Sequence, residues 1–534
     1  MQTMKYRNKL ARFAWSCLLP LAMVGCTDWD AHYDVDNQKT WADKTLWEEI
    51  ESRPQLEEYR KLLEHYGYKE VLNGSQMYTV FAPMGALDTM GLSAGKIRTE
   101  VIENHIARFV FSANKATDKK EVTMLNSKSI LFTQSGEEYS FGDNLLTEDH
   151  NIIAKNGVLH VINGQQRFFH NVWEYLTTDA RFDSIRNYLY SFNEDYLDED
   201  KSVKGEINAE GKQEYLDSVI ISYNQMLYYL GQLNNEDSLY TMIVPTNEAW
   251  AEAYERVKEY YKYPEGLNNS DSLQKYYTKQ AMVRDLVFSH TVQKSVEDSL
   301  ISTNLGKFYS PFEDGNILSG YSAWEQAEEC SNGSVFVVEQ LRHKPWQSWH
   351  RTIKVEAENS NALVNDTIQD KIRMIYRNRL GSNDSLYTKI SGGAYLEMLE
   401  KQQGNHPKIA FNVWNTLRGK YRVKVVFLPQ ELATSKNKSI LPNSFEASCS
   451  VVDDKGVLKA PAKIPSNWKK IKNDPEKIDT VEIDVLDFGS CVYGQEKVGL
   501  KLELKSDFGT KAKDYKEYSG TLLIDCIILE PVKE

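Results

Sequence analysis

The chain has 534 residues and a formal net charge of −13, with 41% hydrophobic and 11% aromatic side chains. An acidic balance of this size excludes binding that works by displacing counterions from nucleic acid, which needs basic patches. The length exceeds what one hydrophobic core serves, so about three domains are expected.

The chain opens as a targeting segment would. Lys5, Arg7, Lys9 and Arg12 lead into an apolar run from Phe13 to Val24, and no acidic residue offsets them. The run is too short to cross a bilayer permanently. It stops at Met23-Val24-Gly25-Cys26, a small-residue cleavage site. A cysteine directly after such a site resembles the lipobox of bacterial lipoproteins, with Met23 where leucine is usual. The resemblance implies that residues 1–25 are removed and that Cys26 becomes an acylated N-terminus, the lipid carrying the membrane contact. An ordinary secretory signal with an incidental cysteine is the alternative. Four basic residues leave with the signal, so the remainder carries about −17.

Residues 26–40 read as an acidic tether. Asp28, Asp30, Asp34 and Asp36 follow one another without apolar periodicity, and such a stretch stays solvated. It resembles the acidic export signal that glycan-degrading anaerobic Gram-negative bacteria place after the lipidated cysteine. Asp28 and Asp30 would then be the surface-export signal, and the expected address is the outer membrane, lipid-anchored and facing outward. A solvated linker with no addressing role is the alternative.

Next comes a repeat. Tyr78-Thr79-Val80-Phe81-Ala82-Pro83 and Tyr240-Thr241-Met242-Ile243-Val244-Pro245 both read as strands ended by proline. Thr246 or Asn247 is placed to cap a helix that Glu248-Ala249-Trp250 starts. Before the first copy, Leu46, Trp47, Ile50, Leu56, Tyr59, Leu62, Leu63 and Tyr66 recur at helical spacing, with Gly67 suited to a C-terminal turn. Helices are also expected over residues 101–106 and 283–290. Each copy closes with a strand after an Asn-Gly turn, at Asn156-Gly157 and Asn332-Gly333.

This order resembles the fasciclin domain, whose first box reads roughly T-V-F-A-P-T-N-x-A-F and whose last reads N-G-x-x-H-x-(I/V). Met84-Gly85 replaces Thr-Asn in the first copy, and Phe336 stands where the closing histidine belongs in the second. The resemblance implies tandem α+β fasciclin-like domains at 41–169 and 170–343, the second with an insertion near 193–236. It also implies an interaction or adhesion module rather than an enzyme.

Residues 344–534 have a different texture. Runs at 351–357, 420–427, 481–485, 500–504 and 521–529 alternate or are continuously apolar, and Gly, Pro, Asn and Lys separate them. They predict an all-β antiparallel sandwich. Gly419-Lys420-Tyr421 and the closing Leu-Glu-Pro give it a jelly-roll-like resemblance to carbohydrate-binding modules. Of the later cysteines, Cys330, Cys449, Cys491 and Cys526, none sits in a C-x-x-C pair. Cys526 reads as a buried small hydrophobe. Cys449–Cys491 and Cys491–Cys526 bridges stay open alternatives.

Chemistry-bearing motifs are sparse. No H-E-x-x-H, G-x-S-x-G, Walker or G-x-G-x-x-G sequence occurs, and Gly91–Lys96 is one residue short of a phosphate loop. No catalytic, cofactor or metal residue is assigned. His105 and His290 fall on apolar faces and read as core histidines. His343 and His350 flank Pro345-Trp346 and read as a domain junction, whose proline and paired tryptophans predict a stiff joint. Glu356 and Glu358 share one strand face, though acidic residues are too common here for the pair to carry weight. Trp324, Trp346, Trp349, Trp414 and Trp468 are weighed as sugar platforms, with core or junction packing the favoured reading.

Asp precedes Ser or Thr nine times, at Thr89, Ser184, Ser218, Ser238, Ser272, Ser299, Thr367, Ser385 and Thr480, always with an aliphatic residue next. The pattern resembles the O-glycosylation acceptor of exported proteins in the same bacterial group; helix capping is the competing reading. The sequence therefore predicts a non-enzymatic surface lipoprotein, an accessory component of a TonB-dependent nutrient-uptake system with an outer-membrane protein partner. A glycan-binding lipoprotein using the C-terminal sandwich is the alternative.

Overall fold

The computed structural model describes residues 42–113, 120–199, 202–207, 211–217, 220–289, 300–301, 308–309, 327–364, 372–376, 380, 385–399, 408–434, 440–459, 469–507 and 511–533. Two compact units result. The first runs to Glu174 and takes in Asn234–Ser238 and Glu329–Asn332; the second holds Tyr175–Leu233, Leu239–Glu328 and Gly333–Glu534.

In the first unit, helix Leu46–Glu51 begins at a reciprocal cap. The Thr45 hydroxyl accepts from the Glu48 N–H, and the Glu48 carboxylate accepts from the Thr45 N–H at 2.7 Å. Helices Glu57–His65 and Tyr68–Asn73 follow, with Gly67 at φ +81° between them. Their apolar faces cover a four-stranded sheet ordered Ile106–Arg108, Tyr78–Pro83, Gly157–Ile162, Ile152–Ala154. Tyr78–Pro83 is buried throughout because it pairs on both edges, in parallel with Gly157–Ile162 and antiparallel with Ile106–Arg108. A continuous apolar strand suits that central position.

A second sheet, Lys120–Thr123, Ser129–Ser135, Glu138–Phe141 and Asn144–Leu145, is an antiparallel meander. Phe132 and Phe141 from the meander meet Phe81 from the first sheet. The Phe81 and Phe141 rings stack 3.8 Å apart, and Phe132 stands edge-on at 5.3 Å. Burying each such ring contributes about 2–3 kcal/mol.

The second unit repeats this pairing. Tyr240–Pro245 lies parallel to Gly333–Val338, and Tyr240↔Gly333 through Pro245↔Val338 reproduces Tyr78↔Gly157 through Pro83↔Ile162. Thr246 caps helix Asn247–Lys258, its hydroxyl accepting from the Ala249 N–H. The inserted segment forms two small ladders, Asn193–Leu197 with Ile220–Asn224 and Val203–Ile207 with Gln213–Asp217. Asn224 then caps helix Gln225–Leu230.

Neither expected helix forms as its apolar spacing predicts. Helix Ser270–Val283 ends where the expected 283–290 helix would begin, and Val287–Phe288 is a strand paired to Thr241 and Met242. Residues 97–105 wind as a π turn and a 3-10 turn before strand Ile106–Arg108. In both places pairing along the opening strand overrides local periodicity.

The remainder of the second unit is antiparallel β. One sheet is ordered Ile372–Tyr376, Ala394–Met398, Leu522–Pro531, Gly419–Phe427, Asp479–Phe488, and Ile353–Glu356 also pairs with Leu522–Pro531. The other is ordered Lys408–Trp414, Val498–Ser506, Ser444–Val452, Leu458–Lys459, with Lys469–Lys472 also on Ser444–Val452. Side chains of both sheets form one core cluster, with Phe427 of one and Phe445 of the other 4.9 Å apart at their centroids. Alternate residues of Val498–Ser506 point into it, the two-residue period read from Leu500-Lys501-Leu502-Glu503-Leu504.

Candidate functional site

The Asn-Gly boxes do more than turn the chain. Buried Asn156 accepts from the Leu46 N–H through Oδ1 at 2.8 Å, and its Nδ2 donates to the carbonyls of Leu72 and Gly74. One side chain therefore satisfies the start of the first helix and the end of the third. Gly157 has φ +149°, and a Cβ there would lie 1.8 Å from the Tyr78 carbonyl oxygen. In the second copy, Asn332 Oδ1 accepts from the Val172 N–H at 2.8 Å. A Cβ on Gly333 would likewise stand 1.8 Å from the Tyr240 oxygen.

His160 completes the closing box. Its Nε2 donates to the Phe111 carbonyl at 2.8 Å and its Nδ1 accepts from the Asn151 N–H at 3.1 Å, which assigns the tautomer. The ring stacks on Phe81 with centroids 5.1 Å apart. His105 is held in the opposite tautomer, Nδ1 donating to the Val101 carbonyl and Nε2 accepting from the Gln166 N–H. At the position facing Ile243, where Phe81 faces His160, the second copy has Phe336, so this polar bridge is replaced by an apolar contact.

Burial lowers the pKa of His105, His160, His343 and His350 to about 4 from 6.5. All four are neutral in the native state, while the unfolded chain takes up protons below about 6.5. Their stabilisation is therefore complete above about pH 6.5 and is lost as pH falls toward 4, by up to about 3 kcal/mol for each. Urea unfolding at pH 7 and pH 5 should show this loss; equal stabilities would contradict the buried neutral histidines.

Lys128 is a second polar centre in the first unit. It is only 4% exposed, and its ammonium reaches Glu174 and Glu236 at 2.7 Å each and the Ser331 hydroxyl at 3.2 Å. The Phe168 ring lies 5.3 Å from it.

In the second unit, rings form a continuous seam between the repeat and the β region. Tyr260 contacts Trp349 and His350, His350 meets Tyr421 at 4.5 Å, and Tyr421 meets Phe488. Polar ties flank it: Cys491 N–H to the Lys262 carbonyl at 2.8 Å, Tyr263 hydroxyl to the Tyr493 carbonyl at 2.7 Å, and Arg418 to Glu259 at 2.9 Å. Asp285, 1% exposed, accepts from Arg351 at 2.6 and 2.7 Å and from the Ser348 hydroxyl at 2.5 Å.

At one corner of the β region three carboxylates converge on the turn at Ser391. Asp525 Oδ1 accepts from the Ser391 N–H at 3.0 Å, and Glu356 accepts from the Ser391 hydroxyl at 2.6 Å. Gly392, at φ +58°, lies so close that a Cβ would meet Glu358 Oε1 at 2.8 Å. Burial raises the Asp525 carboxyl to about 6, and burial with the charges of Glu356 and Asp525 raises Glu358. Three like charges in a half-buried corner favour protonation of one of them. Among the described residues, no group of three or more His, Cys, Asp or Glu is arranged to hold a metal ion.

The pairing locked by Asn156, Gly157 and His160 falls inside a recognised family segment. Residues 54–164 match the fasciclin domain. No curated protein matches the chain. Among solved structures, the chain is similar to a FAS1 domain pair from the insect cell adhesion molecule fasciclin I, at 13% identity over 55% of this chain and 98% of that one, TM-score 0.20. It is also similar to a family 35 carbohydrate-binding module from Clostridium thermocellum, at 17% identity over 33% of this chain and 98% of that one, TM-score 0.17. A CBM22-1 xylan-binding domain from Paenibacillus barcinonensis aligns at 11% identity over 34% of this chain and 94% of its own, TM-score 0.19.

Cys26, Asp28 and Asp30 lie outside the described residues, as do Ser218, Ser299, Thr367, His290, Trp324 and Trp468. Ser272, Ser385 and Thr480 are exposed, whereas Thr89, Ser184 and Ser238 are half-buried. Neither Asp183 nor Asp271 caps its helix. Both sit in the first turn, and the cap residues Phe182 and Asn269 make no side-chain cap bond. Trp349 is buried in the seam, while Trp346 and Trp414 are half-buried. Cys330, Cys449, Cys491 and Cys526 are buried, and among the described residues neither candidate bridge forms. Burial pushes Cys449, Cys491 and Cys526 up to about 12, which leaves them unreactive.

Sequence reasoning missed Lys128 within the matched segment and, beyond it, the Asp285–Arg351 pair and the convergence of Asp525 with Glu356 and Glu358. Asp525 carried a signal, as the one charge in the apolar run 522–529. Lys128 carried none.

Proposed function

We propose that the protein is a non-enzymatic lipoprotein of the outer-membrane surface, an interaction module that serves a nutrient-uptake complex built on a TonB-dependent transporter. The fasciclin domain is itself an adhesion and interaction module, which supports the class of function. The repeated register Tyr240↔Gly333 supports a second fasciclin-like unit in tandem. The shared core of the two antiparallel sheets supports a jelly-roll-like sandwich behind it.

The single observation that carries the reading is the ring seam from Trp349 through Tyr260 and His350 to Tyr421. Its ring contacts support a fixed link between the repeat and the β region, and such a link holds two separate surfaces at a constant spacing. That spacing serves a protein that docks on one partner and presents a face to another. Acylation at Cys26 and the acidic tether with Asp28 and Asp30 would attach this scaffold to the surface while letting it pivot. Exposed Ser272, Ser385 and Thr480 would be the readiest O-glycosylation acceptors.

Cys26→Ser is expected to release the chain from membranes, because buried acyl methylenes supply most of the affinity. Intact mass of the native protein should show acyl mass on a chain starting at Cys26, together with hexose increments. A Cys26→Ser protein that still sediments with membranes would remove the anchor from this account.

A further inference from the structure

The second unit contains a cleft of 240 Å³ with four tyrosines among its ten lining residues. Helix Gln225–Leu230 contributes exposed Tyr229, helix Ser270–Val283 contributes Tyr277 and Gln280, and Tyr261 and Tyr493 complete the set of rings. Tyr261 and Tyr277 lie nearly parallel, 14° apart in plane with centroids at 6.4 Å. Tyr493 stands edge-on to both, at 6.0 and 5.1 Å. Gly494 fixes this wall: a Cβ there would come within 2.1 Å of the Tyr277 hydroxyl, so only glycine lets that ring seat.

The polar atoms of the cleft are uncommitted. Tyr261 is 2% exposed, yet among the described residues its hydroxyl makes no hydrogen bond, nor do the hydroxyls of Tyr277 and Tyr493 or the Gln280 amide. Tyr277, Tyr493 and Gln280 are half-buried, so their open donor and acceptor groups face the cleft's solvent and offer partners to a ligand. No carboxylate lines the cleft, and its one charged side chain is Arg284, whose Nη2 donates to the Ser348 carbonyl at 2.8 Å. That arrangement disfavours cationic ligands. Flat ring faces beside several open donor–acceptor groups match a sugar ring, which has a C–H face and equatorial hydroxyls. The volume lies below the roughly 300–1,000 Å³ typical of drug-sized sites, which limits the occupant to one ring.

We propose that this cleft binds a single pyranose residue, neutral or acidic, of a glycan. The proposal goes beyond the surface-anchor reading and stands without it. It also places the sugar mainly on the second repeat, away from the sandwich faces that carbohydrate-binding resemblance alone would favour.

The test is calorimetric titration of the full chain, prepared without glycosidic detergent, with methyl glucopyranoside, galactopyranoside and mannopyranoside, with glucuronate and galacturonate, and with indole as the flat aromatic control. At least one sugar probe should saturate. Tyr229→Ala and Gln280→Ala should each weaken it about tenfold, the effect of losing one stacking or hydrogen-bonding partner. Tyr229 is 51% exposed, so its variant should keep the native circular dichroism spectrum and leave binding as the only change. Saturation that neither variant alters would put the sugar elsewhere and overturn the proposal. So would failure of every sugar probe, or saturation by indole alone, which would make the cleft a site for flat aromatics. Release of the Cys26→Ser protein from membranes is read separately, so failure of one reading leaves the other standing.

Discussion

Gly157→Ala is expected to unfold the fasciclin domain. The new methyl would sit 1.8 Å from the Tyr78 carbonyl oxygen and 2.8 Å from Leu46 Cδ1. Neither neighbour can yield, because Tyr78 is the first residue of the central strand and Leu46 opens the buried first helix. The loss should exceed about 4 kcal/mol, the range reserved for a clash with backbone. Gly136→Ala is the matched control. Gly136 also has positive φ, at +65°, but nothing lies within 4 Å of its would-be Cβ. It should lose only the left-handed strain of about 1–2 kcal/mol. Urea unfolding followed by exchange of amides in residues 78–83 separates the two. Equal losses would show that backbone conformation alone, and not the close approach, demands glycine in the closing box.

Asp285→Ala is expected to loosen the second unit by about 3–5 kcal/mol, the usual result of breaking a buried ion pair from one side. Arg351 would lose both bonds to the carboxylate, and the buried Ser348 hydroxyl would lose its acceptor. Because Asp285 follows the last helix of the repeat and Arg351 leads into the first β strand, the damage should appear as earlier melting of the whole seam. Adding Arg351→Ala to Asp285→Ala should cost much less than the sum of the two single losses, since the second change removes a charge already stranded. Additive losses would mean the pair does not tie the repeat to the β region.

What could be read from the residues followed their range along the chain. The strand at Tyr78 and its copy at Tyr240 were legible because β-branched and aromatic runs ended by proline are local signals. The Asn-Gly boxes were legible as turns. Their deeper role was not, because Asn156 acts on Leu46, 110 residues away, and Gly157 is demanded by a strand that pairs in parallel. Residues 283–290 kept a helical spacing, yet Val287 and Phe288 went to the opening strand, whose edge offered hydrogen bonds a further helical turn could not. The junction at Pro345 was legible from its tryptophans, although Tyr260 and Tyr421, its other rings, were not.

The candidate sites were less legible still. Lys128 gathers partners 46, 108 and 203 residues away, and no local pattern announces such a hub. Glu356 and Glu358 showed a two-residue spacing, but only the fold brings Asp525 to them. The tyrosines of the cleft come from four separate stretches, and tyrosine is too frequent in this chain, at 31 residues, for any one to stand out.

The proposed role is display on the cell surface as part of an uptake complex. Affinity purification of the full chain from mildly solubilised native outer membranes tests it most directly. The account predicts co-purification of a β-barrel transporter in near-stoichiometric amount, together with loss of the protein from intact cells on external protease treatment. A protein that purifies alone and is untouched by protease on intact cells would contradict it.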